Sequence, residues 1–265
     1  MSKSIECRGV GHSFGSGESA MEVLRPTDLD VKAGEFVCLL GPSGCGKTTL
    51  MNVVAGLIEP SVGTVTVGGE PVSGPSPERG VIFQEFALMP WKTVMGNVEF
   101  GLRMKGVPPA ERRRVAREHL SLVGLEGFED KYPRQLSGGM KQRTAIARAY
   151  AVEPDVLLMD EPFGALDAQT RSVLQDDLLA SWEKLGQTVL FVTHDLDEAF
   201  YLASRVIVMS ARPGAILADI EVDLPYPRDP QTRFTDRFTE MKSHAWSLIE
   251  AQHERAGGAA ARAAA

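Results

Sequence analysis

The stretch GPSGCGKTT, Gly41 to Thr49, constrains this chain more than any other. It fits the pattern G-x-x-x-x-G-K-[ST] and follows FVCLL, Phe36 to Leu40, a continuous apolar run of the kind buried on both faces of a parallel sheet. From Lys47 to Leu57 the pattern is helical, ending at Gly56 and Pro60. Strand, glycine turn and helix together are the setting in which such a loop grips phosphate. Gly41, Gly44 and Gly46, with Pro42, Ser43 and Cys45 between them, let the backbone aim successive N–H groups at phosphate oxygens. The helix start adds its partial positive charge. Lys47 is expected to reach the β- and γ-phosphates, Thr48 to ligand Mg²⁺ through its hydroxyl, and Thr49 to add a hydrogen bond to phosphate. The loop alone says only that a nucleotide is bound. Cys45 has two readings: a thiol made reactive by helix-terminal N–H groups, or a buried inert one.

Around this unit the pattern is α/β. Ile5–Val10 and Leu29–Val31 read as edge strands, Gly63–Val67 as a strand, and Val81–Phe83 as a short one that VIFQ ends at Gln84. Thr93–Lys105, Glu111–Val123 and Gly138–Val152 read as helices separated by proline- and glycine-bearing loops, an inserted helical subdomain over about 86–153. The α/β alternation resumes with strands at 156–159, 188–192, 206–209 and 216–222 and helices near 169–185 and 196–203. The expected organisation is one domain over 1–228, then 229–265 with a helix near Phe234–His253 and an alanine-rich end with little to pack.

Three further positions carry chemistry. The apolar strand VLLMDE, Val156 to Glu161, ends in two acids, Asp160 and Glu161; alternate strand residues point opposite ways, which favours separate roles for them. Asp160 is placed to hold Mg²⁺ and Glu161 to orient and polarise an attacking water. TVLFVTHD brings His194 to the end of another strand, where ligands of parallel sheets gather, as a donor to the γ-phosphate or the water. Gln84, donor and acceptor at once, is a candidate to touch both Mg²⁺ and water and to act as a coupling lever.

Composition narrows the class. A chain of 265 residues, 43% hydrophobic, folds without a special staple, and three cysteines offer no paired spacing for zinc or a disulfide framework. No apolar run is long enough to span a bilayer, and Met1–Val10 carries Glu6 and Arg8, so a cytoplasmic location is expected. A net charge of -7 argues against a nucleic-acid partner; the cluster Arg112, Arg113, Arg114 and Arg117 reads as a solvated helix face.

LSGGMKQR, Leu136 to Arg143, turns a generic nucleotide site into a recognisable one. With the phosphate loop, Gln84, Asp160-Glu161, the GALD turn and His194, the chain resembles the ATP-binding cassette ATPases from about Ile5 to Met209. That resemblance implies a P-loop NTPase core with an antiparallel β subdomain and an inserted α-helical subdomain, using ATP and Mg²⁺. It implies that Ser137, Gly138 and Gly139, at a helix start, grip the γ-phosphate of ATP held by a second copy, so that an ATP-bound homodimer closes head to tail. Asp167 is implied to reach across that seam. Phe14 is implied to stack on adenine where many relatives use tyrosine, with core or hairpin packing as the alternative.

The FALMPWKTVMGNVEFGL run, the DEPFGALDAQTR stretch and the RPG and LPYPRDP segments look like the nitrate, sulfonate and taurine importer branch. This implies integral membrane permease subunits as partners, indirectly a solute-binding protein, and a peripheral place on the cytoplasmic face of the membrane. Met89, Pro90 and Trp91 would line the groove for a short permease helix, with core packing as the alternative. A non-transport cassette ATPase acting on DNA or ribosomes is the competing class; it would show coiled-coil arms, metal cysteines, tandem cassettes or a basic face. A nucleotide kinase would leave LSGGM and His194 unexplained.

Overall fold

The computed structural model describes residues 2–15, 17–164 and 166–263, with the side chains of Glu18 and of residues 253–263 outside that description. In chain order the first elements are β1 (Ile5–Phe14), β2 (Met21–Val31), β3 (Phe36–Leu40), α1 (Lys47–Ala55), β4 (Val62–Val67) and β5 (Glu70–Pro71). There follow β6 (Arg79–Ile82), α2 (Val94–Met104), α3 (Pro109–Leu122), α4 (Gly138–Ala151), β7 (Val156–Asp160) and α5 (Ala168–Leu185). The last are β8 (Thr188–Thr193), α6 (Leu196–Leu202), β9 (Arg205–Met209), β10 (Ile216–Glu221) and α7 (Asp236–Ala263). The chain divides into two compact units, one formed by Ser76–Gln187 and the other by Ser2–Pro75 with Thr188–Ala265.

In the second of these units an antiparallel sheet has the order β2-β1-β4-β5. β1 therefore pairs on both sides, with Cys7 opposite Leu29 of β2 and Val65 of β4, which corrects the expectation that Ile5–Val10 is an edge. The register of β1 on β2 shifts repeatedly between Cys7 and Ser13. β2 begins at Met21, well before the expected Leu29; Pro26 lies within it, tolerated because it falls at the register shift between the Val10–Thr27 and His12–Leu24 pairs, where the ladder with β1 is already broken.

The same unit holds β3 between β8 and β9, parallel to both, with β10 antiparallel on β9. All five residues of β3 are buried, as are all six of β8, the signature of strands covered on both faces. Helix α7 turns Phe238, Met241 and Ala245 inward, a spacing that gives one apolar stripe. The turn-rich LPYPRDP segment braces a helix end. Its Arg228, 6% exposed, donates to the carbonyls of Phe200, Tyr201 and Ala203 at the end of α6. A cation there satisfies orphan carbonyls and complements the helix dipole. The expectation of an unpacked alanine-rich end falls on side chains outside the described residues.

In the other unit β6 and β7 pair in parallel, Arg79 opposite Val156 and Ile82 opposite Met159. Every residue of β7 is buried. Helices α2, α3 and α4 pack on one another through Val98, Leu102, Ala116, Leu120, Ala145 and Ile146, all buried. Among the described residues no helix is long and apolar enough to cross a membrane.

Candidate active site

The phosphate loop leaves β3 at Leu40 and enters α1 at Lys47. Gly46, the residue capping α1, has φ 95°, and a Cβ there would meet the Val23 carbonyl oxygen at 3.0 Å, so only glycine fits without strain. Lys47 is buried and curls back over the loop, its Nζ donating to the carbonyls of Gly41 at 2.7 Å and Pro42 at 2.9 Å. Ser43, Gly44 and Thr48 are exposed, while Thr49 is buried. Burial pushes the Cys45 thiol up, against the downward pull of Lys47 3.8 Å away, which favours the inert reading over the reactive one.

A part of this cradle that sequence reasoning missed is Gly214. A Cβ on it would lie 1.8 Å from the Cys45 carbonyl oxygen. Its N–H donates to Val23 and its carbonyl accepts from Arg25, so the turn between β9 and β10 presses directly on the loop. The only available signal was the glycine of the RPG turn, which says nothing of its distant neighbour.

His194 is exposed and follows β8 at once. The turn carrying it is fixed on the far side: Thr193 donates to Glu198 at 2.8 Å, and Asp195 caps α6 by accepting from the N–H groups of Asp197 and Glu198. Phe14, 44% exposed at the end of β1, stands edge-on to His12 with ring centroids 4.5 Å apart. It is therefore a surface aromatic and not a core one. These positions, with the phosphate loop, belong to one unit.

Within the other unit β7 ends at Asp160, 4% exposed, and the chain turns at once through Glu161, whose φ is 44°. A non-glycine residue in that region carries about 1–3 kcal/mol of backbone strain. The turn is held by Gly164 N–H donating to the Glu161 carbonyl at 3.2 Å, and Gln84 Nε2 donates to Glu161 Oε2 at 3.4 Å. So the fold brings together Gln84 and Glu161, 77 positions apart. Gln84 is exposed and lies in the loop after β6, two residues beyond the strand end; VIFQ is not all strand, since β6 stops at Ile82.

Ser137 caps α4, its hydroxyl accepting from the Met140 N–H at 3.3 Å, and Ser137 and Gly138 are exposed. Asp167 caps α5 by accepting from the Thr170 N–H at 2.9 Å, which holds its carboxyl below the ordinary range. Trp91 is 73% exposed, so packing into a core does not account for it.

The fit to a nucleotide's phosphates rests on the cradle itself: Gly41 and Gly46, where a Cβ would crowd a carbonyl oxygen, a buried lysine with its ammonium on the loop, and a helix start directly behind. This arrangement defines a phosphate-loop nucleotide-binding protein. The family model described as "ABC transporter" matches residues 24–164. The nitrate import ATP-binding protein NrtD of Synechocystis sp. is 46% identical over 83% of this chain and 83% of its own. The taurine import ATP-binding protein TauB of Yersinia pestis bv. Antiqua is 50% identical over 76% of this chain and 78% of its own. A dimeric post-hydrolysis structure of the ATP-binding cassette MJ0796, bound to ADP and Pi, is 33% identical with a TM-score of 0.76, covering 83% of this chain and all of that one.

The chain belongs to the ABC transporter family. It binds and hydrolyses ATP, on an α/β P-loop core with an antiparallel β subdomain and an inserted α-helical subdomain.

Proposed function

We propose that this chain is the ATP-hydrolysing subunit of an importer for nitrate, taurine, a sulfonate or a similar small solute, working as a head-to-tail homodimer beneath separate membrane permease subunits. A solute-binding protein on the other side of the membrane delivers the cargo, and the chain sits peripherally on the cytoplasmic face. Residues 1–228 form the cassette, and 229–265 add a C-terminal helix and tail.

The observation that carries the reading is the Gln84–Glu161 contact on a strained turn, in a chain that also carries the Lys47 cradle and an exposed, Ser137-capped helix start. The names of the relatives NrtD and TauB favour small-solute import, and the dimeric MJ0796 structure favours the paired arrangement. The basic helix α3 offers little to a polyanion: Arg112 and Arg113 reach Glu99, and Arg114 reaches Glu118.

ATP supplies a terminal phosphoryl group whose transfer to water is strongly downhill. In this reading Gly41 to Gly46 and Thr49 bind the phosphates through N–H and O–H donors, and Lys47 answers their charge. Thr48, Asp160 and Gln84 are the oxygen donors suited to Mg²⁺, a hard cation that keeps part of its water shell. Glu161 takes the proton of the attacking water, and His194 donates a hydrogen bond to the group being transferred. Ser137, Gly138 and Gly139 hold the terminal phosphate from the second copy, Asp167 lies at the seam, and Phe14 stacks on adenine. Binding thus stabilises the pair, and hydrolysis releases it.

The test is the Glu161→Gln chain in MgATP, followed by light scattering. It should run as a dimer with ATP and as a monomer without it. A chain that stays monomeric with ATP bound, even with permease supplied, would sink the head-to-tail reading. Membrane co-sedimentation only when the permease is co-expressed tests the partner.

A further inference from the structure

Between β6 and α2 the chain runs without helix or strand from Phe83 to Thr93, yet Gln84 has to be placed accurately on Glu161. Two side chains from outside the segment hold it. Asn97 of α2, fully buried, accepts from the Met89 N–H and donates to the carbonyls of Met89, Lys92 and Thr93. Closer to Gln84 the holder is Arg148, in the last turn of α4.

Arg148 Nη1 donates to the Ala87 carbonyl at 2.5 Å and Nη2 to the Phe86 carbonyl at 3.4 Å. One planar fork thereby grips two successive peptides through two separate nitrogens held rigidly in one plane. Ala87 has φ 44°, a left-handed conformation that alanine keeps only when its surroundings impose it. Phe86 also lies along α4: the Lys141 ammonium is 5.9 Å from its ring centroid, and its Cζ is 3.8 Å from where a Cβ on Gly138 would be. Among the described residues Arg148 makes no ion pair, so its charge is spent on these carbonyls; burial draws its pKa down.

We propose that Arg148 is a positioning residue for Gln84: it fastens the Phe86–Ala87 peptides to α4, so that Gln84 follows the helix whose first turn carries Ser137. The assignment rests on the reading of Gln84 as part of the active site. A shift of α4 then reaches Glu161 through three residues of backbone and one amide.

The experiment is a double-mutant cycle on the full chain, measuring kcat and KM for ATP together with the melting temperature. Gln84→Ala and Arg148→Ala are each expected to lower kcat about tenfold or more with KM for ATP within about twofold, and the double variant to lose no more than either alone. Arg148→Lys, with one nitrogen in place of a planar fork, should recover part of kcat and closes the same cycle if Arg148→Ala fails to fold. Losses that multiply in the double variant, or a kcat that falls only in step with the melting temperature, overturn the positioning role. Normal turnover in Gln84→Ala overturns the reading beneath it, which is a different result.

Discussion

After β3 the chain makes its left-handed turn with glycine at Gly44 and Gly46; after β7 it makes one with glutamate at Glu161. The first turn needs bare backbone, because phosphate oxygens must come against N–H groups, and glycine supplies the conformation at no steric cost. The second turn needs a carboxylate at its apex, so the strain stays in the backbone, held by Gly164 and by the buried strand before it. Where a site uses main chain the sequence yields flexibility, and where it uses a side chain the surrounding structure bears the distortion.

Replacing the carboxylate alone should show the largest effect. Glu161→Gln keeps the turn and removes the base, so turnover should fall by about 100-fold or more while ATP binding persists, as checked by steady-state hydrolysis beside a nucleotide titration. Undiminished hydrolysis would remove Glu161 from its role. Next comes the glycine side of the comparison: Gly214→Ala puts a Cβ inside the Cys45 carbonyl oxygen and should cost about 3 kcal/mol, with weakened ATP affinity. A melting curve like that of the parent chain would mean that the β9–β10 turn yields easily. Lys47→Ala, which removes a charged donor from the cradle, should weaken MgATP binding by roughly tenfold to 100-fold in calorimetry. Smallest and most diagnostic is Glu161→Gly. Relieving the left-handed strain should raise stability by about 0.5–1 kcal/mol even as turnover is lost, and a destabilised variant would show that the turn is not strained.

The phosphate loop was legible because its meaning is local: spacing, a strand before and a helix after. The same holds for Ser137, read at a helix start, which bonds an N–H three residues on, whereas the like cap at Asp167 was not read. β1 was misread as an edge because pairing on two sides is a property of partners that the strand itself does not record. Met21 to Asp28 of β2 was missed, and within it Pro26 argues against a strand unless the ladder is known to be broken at that point. Gly214, Arg228 and Arg148 gave no warning, since each acts on backbone groups far away in sequence. The strain at Glu161 was invisible for a different reason: propensity speaks against the conformation that tertiary structure imposes.

The contact between Gly214 and the Cys45 carbonyl has a consequence for synthesis on the ribosome. The nucleotide cradle, ahead of α1, is translated long before the wall it leans on, which follows β9. A nascent chain halted short of the β9–β10 turn would carry the whole glycine motif without its mould, and ATP could rescue the folding only of chains whose growth has passed that point.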